Sequence, residues 1–393
     1  MPLLQSIVAK AYYPLLAVGI FYFTCLGLLT HPVIQNNAIY MQKLKLTWRQ
    51  DLTRPEQFGF AKNQVTPFYL NTTDGESIFA WHVLPLGLYM EHRDELAELE
   101  TGIETNPAEH RSLQLLKDDP EARLIIHFHG NAGTLGAGIR PIYLRSLSSA
   151  HPSKIHILAI DYRGFGLSSG VPSEAGLIED GLTAFRFASS LGIPSSRIAL
   201  VGQSLGTAVT IGVADSLASQ TPKQELAAVI TIAGFSNMKE LLQTYHIGGF
   251  IPILSPLRGY PKVRGFFESF IYESWNTTAR IGSLVKNSPS LSLVLIHAKN
   301  DFEIPWQHCE KLFAYATNAA VLQGGEHAEP LTLGEALEIR KVKNYGYEST
   351  HAWWPEERSY GRTISQWLVK WGGHNQVVMS AGTSVIVSKA LGL

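Results

Sequence analysis

Apolar and polar positions alternate in three different rhythms along this chain. In the first, no Asp, Glu, Lys or Arg occurs between Lys10 and Lys43, and residues 11–30 (AYYPLLAVGIFYFTCLGLLT) are almost wholly apolar. At about 1.5 Å per residue that run reaches roughly 30 Å, the thickness of a bilayer's hydrocarbon core, so it predicts a membrane-spanning helix. Pro14 is tolerable near a helix start, and Tyr12, Tyr13 and Trp48 suit the membrane interface. A cleaved signal peptide has a shorter apolar stretch, about 7–15 residues, closed by a small-x-small site. No convincing site of that kind follows, so the expectation is an uncleaved anchor, with a buried core helix as the bland alternative.

The second rhythm is short. Residues 65–70 and 77–83 read as strands joined by a turn at Thr73-Asp74-Gly75, an antiparallel lead-in hairpin. Residues 86–120 are polar and acid-rich (EHRDELAELETG) and predict a solvated surface excursion.

The third rhythm fills the rest. Runs at 124–128, 155–160, 198–201, 227–232, 291–296 and 339–343 are mostly continuous and apolar, as burial on both faces of a parallel sheet demands. Amphipathic stretches such as 174–191 and 205–219 lie between them. Strands alternating with helices predict an α/β fold with a mostly parallel central sheet and helices on both faces. Residues 237–290 are too long for a simple crossover and contain HIGGFIPILSPLRGYPKVRGFFESFIYESW, a candidate lid. The division expected is an anchor and juxtamembrane segment at 1–50, a main domain at 51–373 and a C-terminal tail at 374–393.

Composition adjusts this picture little. Of 393 residues 45% are hydrophobic, enough for a large core, and 32 basic against 33 acidic side chains leave a net charge of −1. Such a balance gives no global field toward nucleic acid. The two cysteines, Cys25 and Cys309, support neither a disulfide framework nor a Cys-rich metal site. Orientation across a membrane is pulled two ways. Lys43, Lys45 and Arg49 after the anchor outnumber Lys10 and the amino terminus before it, which favours a cytosolic domain. The sequons Asn71-Thr72-Thr73 and Asn276-Thr277-Thr278 have meaning only on the other side.

The chemistry is concentrated where a strand runs into Gly202-Gln203-Ser204-Leu205-Gly206 and a helical pattern follows. This is a G-x-S-x-G elbow in the strand-turn-helix context it requires, with Ser204 lifted out at a helix N-terminus. An alcohol needs a base and an orienting carboxylate, which in such folds follow in that chain order as acid, then histidine. Asp301 lies just past the run 291–296, with Glu303 as fallback. The base belongs in a loop after the last strand. With 339–343 as that strand, His351 takes the role; His327 precedes the strand and is its competitor, while His308 and His374 read as structural or exposed. For the oxyanion, the N–H groups of Leu205 and of Asn131, in His127-Phe128-His129-Gly130-Asn131-Ala132-Gly133, are the expected donors. Asp161-Tyr162-Arg163-Gly164-Phe165-Gly166 reads as a structural turn, because Asp161 precedes the elbow. G-x-G-x-x-G, Walker A and H-E-x-x-H patterns do not occur, so no cofactor and no metal are expected.

With these turns in sequence behind a single apolar segment, the chain resembles the membrane-anchored α/β-hydrolase-domain serine hydrolases, a group that includes monoacylglycerol and lysophosphatidylserine lipases of the endoplasmic reticulum. The resemblance covers roughly residues 65–373. It implies the α/β-hydrolase fold, Ser204, Asp301 and His351 as nucleophile, orienting acid and base, Asn131 and Leu205 at the oxyanion, and a lumenal catalytic domain. A serine in the elbow leaves acyl transfer from an ester, thioester or amide, with hydrolysis as the default. The aromatic lid beside a membrane anchor favours a lipid ester, monoacylglycerol or lysophospholipid, with Phe266 at the acyl chain and Arg258, Lys262 and Arg264 at an anionic head group. A thioesterase or peptidase on the same triad, and a catalytically silent membrane scaffold, are the alternatives. Nothing in the sequence speaks to oligomeric state.

Overall fold

The computed structural model describes residues 2–323, 329–346 and 349–393 of the chain, with the side chains of residues 2–9 and 11 outside that description. His327 therefore lies outside the described residues.

One ten-stranded sheet organises the main domain. Its strands are β1 (Val65–Asn71), β2 (Ser77–Val83), β3 (Arg123–Phe128), β4 (Ile155–Ile160), β5 (Ile198–Gln203), β6 (Ala228–Ile232), β9 (Ser292–Ala298), β10 (Lys341–Tyr345), β11 (Ser349–Trp353) and β12 (Thr363–Val369), whereas β7 (His246–Ile247) and β8 (Ile251–Pro252) pair separately. The order across the sheet is β1-β2-β4-β3-β5-β6-β9-β12-β11-β10. The six central strands from β4 to β12 run parallel, and antiparallel strands flank them on both sides.

The continuous apolar runs are explained by two cores, one on each face of the sheet. Leu124, Ile126 and Phe128 enter one cluster with Leu200, Val229, Leu293 and Leu295, while Ile125 enters the other with Ala199, Val201, Ile230, Val294 and Ile296. Successive side chains point to opposite faces, so only a sheet covered twice can bury every position.

Two expectations need correction. The run 339–343 is not the last strand of the parallel sheet: β10 and β11 form an antiparallel edge hairpin, and β10 is exposed along its whole length. The last parallel strand is β12 (TISQWLV), hidden from a search for apolar runs by Ser365 and Gln366, both buried. Residues 86–120 are less solvated than expected, because Leu84, Tyr89, Leu96 and Leu115 form a small core of their own. The tail at 374–393, whose place the sequence left open, packs on the main domain. Val377, Val378, Ile386, Val387 and Leu391 are buried in the second core, and Ser146 Oγ donates to Met379 O at 3.2 Å.

At the front of the chain, α1 (Pro2–Leu28) and α2 (Pro32–Tyr40) are broken at His31, which is extended at φ −81°, ψ 127° before a proline that has no N–H to give a continuing helix. Among the described residues no single helix is long and apolar enough to cross a membrane; Tyr12–Leu28 and Pro32–Tyr40 meet that measure only together, bent by 101°. Leu15, Val18, Ile20 and Phe21 are exposed, and burial begins only at Leu26. A core helix would have covered them.

Placing a carboxylate at the fully buried Val387 leaves it without partners and is expected to cost about 3–5 kcal/mol. Val387→Asp should shift denaturant unfolding accordingly, whereas Val385→Asp, on the exposed face of the same helix, should stay within about 0.5 kcal/mol.

Candidate functional site

Parallel strands deliver their carboxyl ends to one edge of a sheet, and at this edge the loops after β3, β5, β9 and β12 converge. The loop after β5 is the sharpest. Ser204 sits at φ 55°, ψ −121° between β5 and the helix Leu205–Ala218. Strain of this kind costs on the order of 1–3 kcal/mol and persists only where the surroundings hold it. Here the Ser204 N–H donates to Ile232 O at 3.0 Å, and Thr207 Oγ1 donates to Ser204 O at 2.6 Å. The flanking glycines are required by close approach: a Cβ on Gly202 would lie 2.1 Å from Gly206 O, and one on Gly206 would lie 2.1 Å from Phe128 O.

Against Ser204 stands His374, not His351. His374 Nε2 is 2.9 Å from Ser204 Oγ, and His374 Nδ1 is 2.8 Å from Asp301 Oδ2. Ser204, Asp301 and His374 are 8%, 6% and 8% exposed, so water competes little for these contacts. Asp301 is saturated: its Oδ1 accepts the N–H groups of Glu303 and Ile304, each at 2.9 Å, and its Oδ2 also meets His297 Nε2 at 3.2 Å. Burial works to raise the carboxyl, yet the hydrogen bonds from His297 and His374 hold it well below the usual carboxylate range. For His374 burial works downward, and the hydrogen bond and charge of Asp301 prevail and raise it above the ordinary 6.5. The pair is thus set to keep a carboxylate ionised behind an imidazole that alternates between neutral and protonated forms.

His351 lies on β11, stacked between Trp367 at 4.0 Å and Trp353 at 5.0 Å. Burial, then the charges of Lys389 and Lys343, push it down to about 4, so it stays neutral at the sheet edge. His374, by contrast, follows β12, the last parallel strand. Two residues carried the missing signal. Gly372 and Gly373, at φ 127° and 53°, turn the chain directly after β12, and the Gly373 N–H donates to Asn300 Oδ1 at 2.9 Å. Gln203, inside the elbow, donates through Nε2 to His374 O at 3.1 Å.

Asn131 and Leu205 line one cavity of about 150 Å³ together with Ser204. Among the described residues neither of their N–H groups has a hydrogen-bond partner. Arg140 Nη2 holds Gly130 O at 2.9 Å and Asn131 O at 2.8 Å, and His129 Nδ1 meets Gly130 O at 2.6 Å. In a trans peptide the N–H points opposite to the carbonyl, so this grip turns the Asn131 N–H away from the guanidinium. Two such free donors flanking a serine suit a developing oxyanion.

The remaining expected residues fall elsewhere. Arg258 and Lys262 face solvent, and Arg264 pairs with Glu268 at 3.1 Å. Phe266 is 58% exposed, while its neighbour Phe267, a third of a turn round the same helix, lines the cavity. The insert over the site is shorter than 237–290, because the helix Thr277–Asn287 places Ile281, Leu284 and Val285 in the main core. Glu303 accepts from Tyr245 OH at 3.3 Å instead of meeting the histidine. His308 is structural, holding Ser236 and Thr244 at 3.0 and 2.8 Å. Arg163 binds Asp74 and Asp180, so the Asp161 turn braces the sheet.

Comparison with known proteins adds relatives to this geometry. No protein-family model matches the chain. The chain is similar to the lysophosphatidylserine lipase ABHD12 of Danio rerio, 29% identical over 294 residues covering 75% of this chain and 69% of that protein. Its counterpart in Xenopus tropicalis is 28% identical over 294 residues, 74% and 68% of the two chains. The uncharacterized protein YfhR of Escherichia coli O157:H7 is 31% identical over 209 residues, 52% of this chain and 63% of that protein. Among solved structures, an alpha-beta hydrolase from Vibrio vulnificus superposes with a TM-score of 0.51 at 17% identity over 73% and 82% of the two chains, a likeness of fold.

If the imidazole is the base, its neutral form is needed, so kcat/KM for an ester should rise with pH through a value above 6.5. In Asp301→Asn the group that raises His374 is gone, and the limb should move to lower pH while the rate falls roughly 10³–10⁴-fold. The stability signs are opposite: the depressed Asp301 contributes above its unfolded value near 3.8 and is lost on acidification, while the raised His374 contributes below 6.5 and is lost as pH climbs through its folded value.

Proposed function

We propose that this chain, an ester-hydrolysing enzyme of the α/β-hydrolase fold, is a membrane-bound lipase of the ABHD type, acting on monoacylglycerol or lysophospholipid through Ser204, His374 and Asp301. The observation that carries this reading is the hydrogen-bonded line from Asp301 Oδ2 through the His374 ring to Ser204 Oγ at the floor of an apolar cavity. His374 Nε2 takes the Ser204 proton as Oγ attacks the acyl carbonyl. The N–H groups of Leu205 and Asn131 receive the oxyanion, and the imidazolium returns the proton to the departing glycerol oxygen. Water, deprotonated by the same nitrogen, then releases the fatty acid from Ser204.

Lipid specificity is supported by the cavity wall, which draws on Phe235, Met238, Leu241, Ile253 and Phe267, and by the relatives named lysophosphatidylserine lipases. Membrane attachment is supported by the exposed apolar face of α1 and by Tyr12, Tyr13 and Trp48, which are 58%, 67% and 89% exposed. The lumenal side is favoured by Asn71 and Asn276, whose residues are exposed.

A fluorophosphonate probe should label the wild type and lose that labelling in Ser204→Ala and His374→Ala, while His351→Ala keeps it; labelling that survives His374→Ala and vanishes in His351→Ala would overturn the assignment. Reversing Arg258, Lys262 and Arg264 to Glu should depress turnover of lysophosphatidylserine several-fold more than that of a monoacylglycerol, since only the former carries an anionic head group. Equal loss on both would remove those side chains from head-group recognition.

A further inference from the structure

An apolar helix at the front of a hydrolase is ordinarily a tether, and a tether has no reason to touch the reacting atoms. Here the segment does three things a tether need not do. Its last turn and α2 enter the cavity over Ser204, which is lined by Leu26, Leu29, Thr30, Ala38 and Ile39 as well as by the hydrolase domain. It is fastened to the insert: Tyr22 OH donates to Ile253 O at 2.7 Å, Gln35 Nε2 donates to Leu29 O and Phe270 O, each at 2.9 Å, and Tyr272 N–H donates to Gln35 Oε1 at 3.0 Å. Leu26 packs with Leu254 and Leu257 in a cluster separate from both faces of the sheet. Finally, the C-terminal carbonyls of α2 hold the oxyanion loop, with the Ala132 N–H donating to Tyr40 O at 2.9 Å and Asn131 Nδ2 to Ile39 O at 3.3 Å.

The sharp bend is what permits this. A straight continuation of α1 would carry residues 32–40 away from the domain, whereas the 101° turn at His31-Pro32 lays α2 across the site. The wall it forms is apolar and begins where α1 passes from exposed apolar residues to buried Leu26, so apolar side chains lead from the exposed face of α1 into the cavity at Ser204.

Resting on the lipase reading above, we propose that the bent N-terminal helix pair is part of the substrate site, its Leu26 and Leu29 forming the wall along which the acyl chain lies and setting which chain lengths are hydrolysed. The anchor is thereby a specificity element. A short acyl group reaches Ser204 without running along this wall; a long one requires it.

The test uses the full-length protein in detergent, with p-nitrophenyl butyrate and p-nitrophenyl palmitate as probes. Leu26→Trp and Leu29→Trp should each lower the palmitate-to-butyrate ratio of kcat/KM about tenfold, a discrimination typical of crowding in an apolar pocket. Leu15→Trp, on the exposed face of α1, should leave the ratio at its wild-type value. A ratio that stays within twofold of wild type in both cavity variants, or that falls equally in Leu15→Trp, overturns the inference while wild-type hydrolysis and probe labelling leave the lipase reading standing. A wild type that hydrolyses neither ester and takes up no fluorophosphonate overturns that reading instead. Where a tryptophan variant loses its cooperative thermal transition, Leu29→Ala carries the test: it removes atoms without crowding and must still shift the ratio, and an unshifted ratio overturns the proposal.

Discussion

The close packing where the helix Leu205–Ala218 meets the end of the sheet sets the position of everything else in the site. A Cβ fits neither at Gly202 nor at Gly206, each of which would have met a carbonyl oxygen at 2.1 Å. That proximity forces the chain to reverse in a single residue, and Ser204 absorbs the cost at φ 55°. The strain is offset by the ladder on either side and by hydrogen bonds to both backbone groups of the serine. Because the neighbouring strands are parallel, their loops open at the same edge, and the oxyanion loop, Asp301 and His374 are delivered to a nucleophile whose place is already fixed.

Around that point Asp301, His374 and the loop at Asn131 are each held from more than one direction. Asp301 has both oxygens committed, one to backbone N–H groups and one to two imidazoles, so it cannot rotate away from His374. His374 is held from behind by Gln203 and, through Gly373, by Asn300. Arg140 grips the carbonyls of the oxyanion loop from one side, and the end of α2 grips its amides from the other. Preorganised dipoles of this kind stabilise developing charge without reorganising at the moment of reaction. They also tie the N-terminal helices to the site, since the end of α2 is one of the supports of the loop that carries Asn131.

Much of this was legible in the residues because its causes are local. Runs such as ILAI or LVLI demand burial on both faces, and the elbow announces itself by two glycines around a serine between a strand and a helix. Asp301 was legible for the same reason, as an acid a few residues past a strand end. The base was not. TISQWLV breaks its apolar positions with the adjacent Ser365 and Gln366, and Gln366 is buried under the helix Gln307–Val321 with Arg340 Nη1 donating to its Oε1 at 2.9 Å. The continuous apolar runs therefore end before β12, and the next histidine past 339–343 is His351, in the edge hairpin. His351 instead stacks on tryptophans contributed by two strands, a role no spacing announces.

The sequence by itself determined the class of fold, the strained elbow at Ser204, the place of Asp301 past a strand end and the apolar character of the first segment, since each follows from periodicity or from the steric demands of a few adjacent residues. Tertiary structure decided which histidine reaches Ser204, which lid phenylalanine faces the cavity, that the C-terminal tail belongs to the core, and that the first two helices fold back over the site. These are contacts between residues far apart in the chain, such as Ser204 with His374 and Tyr22 with Ile253. Their energies come from burial and from hydrogen bonds that exist only once the sheet has brought its loops to one edge.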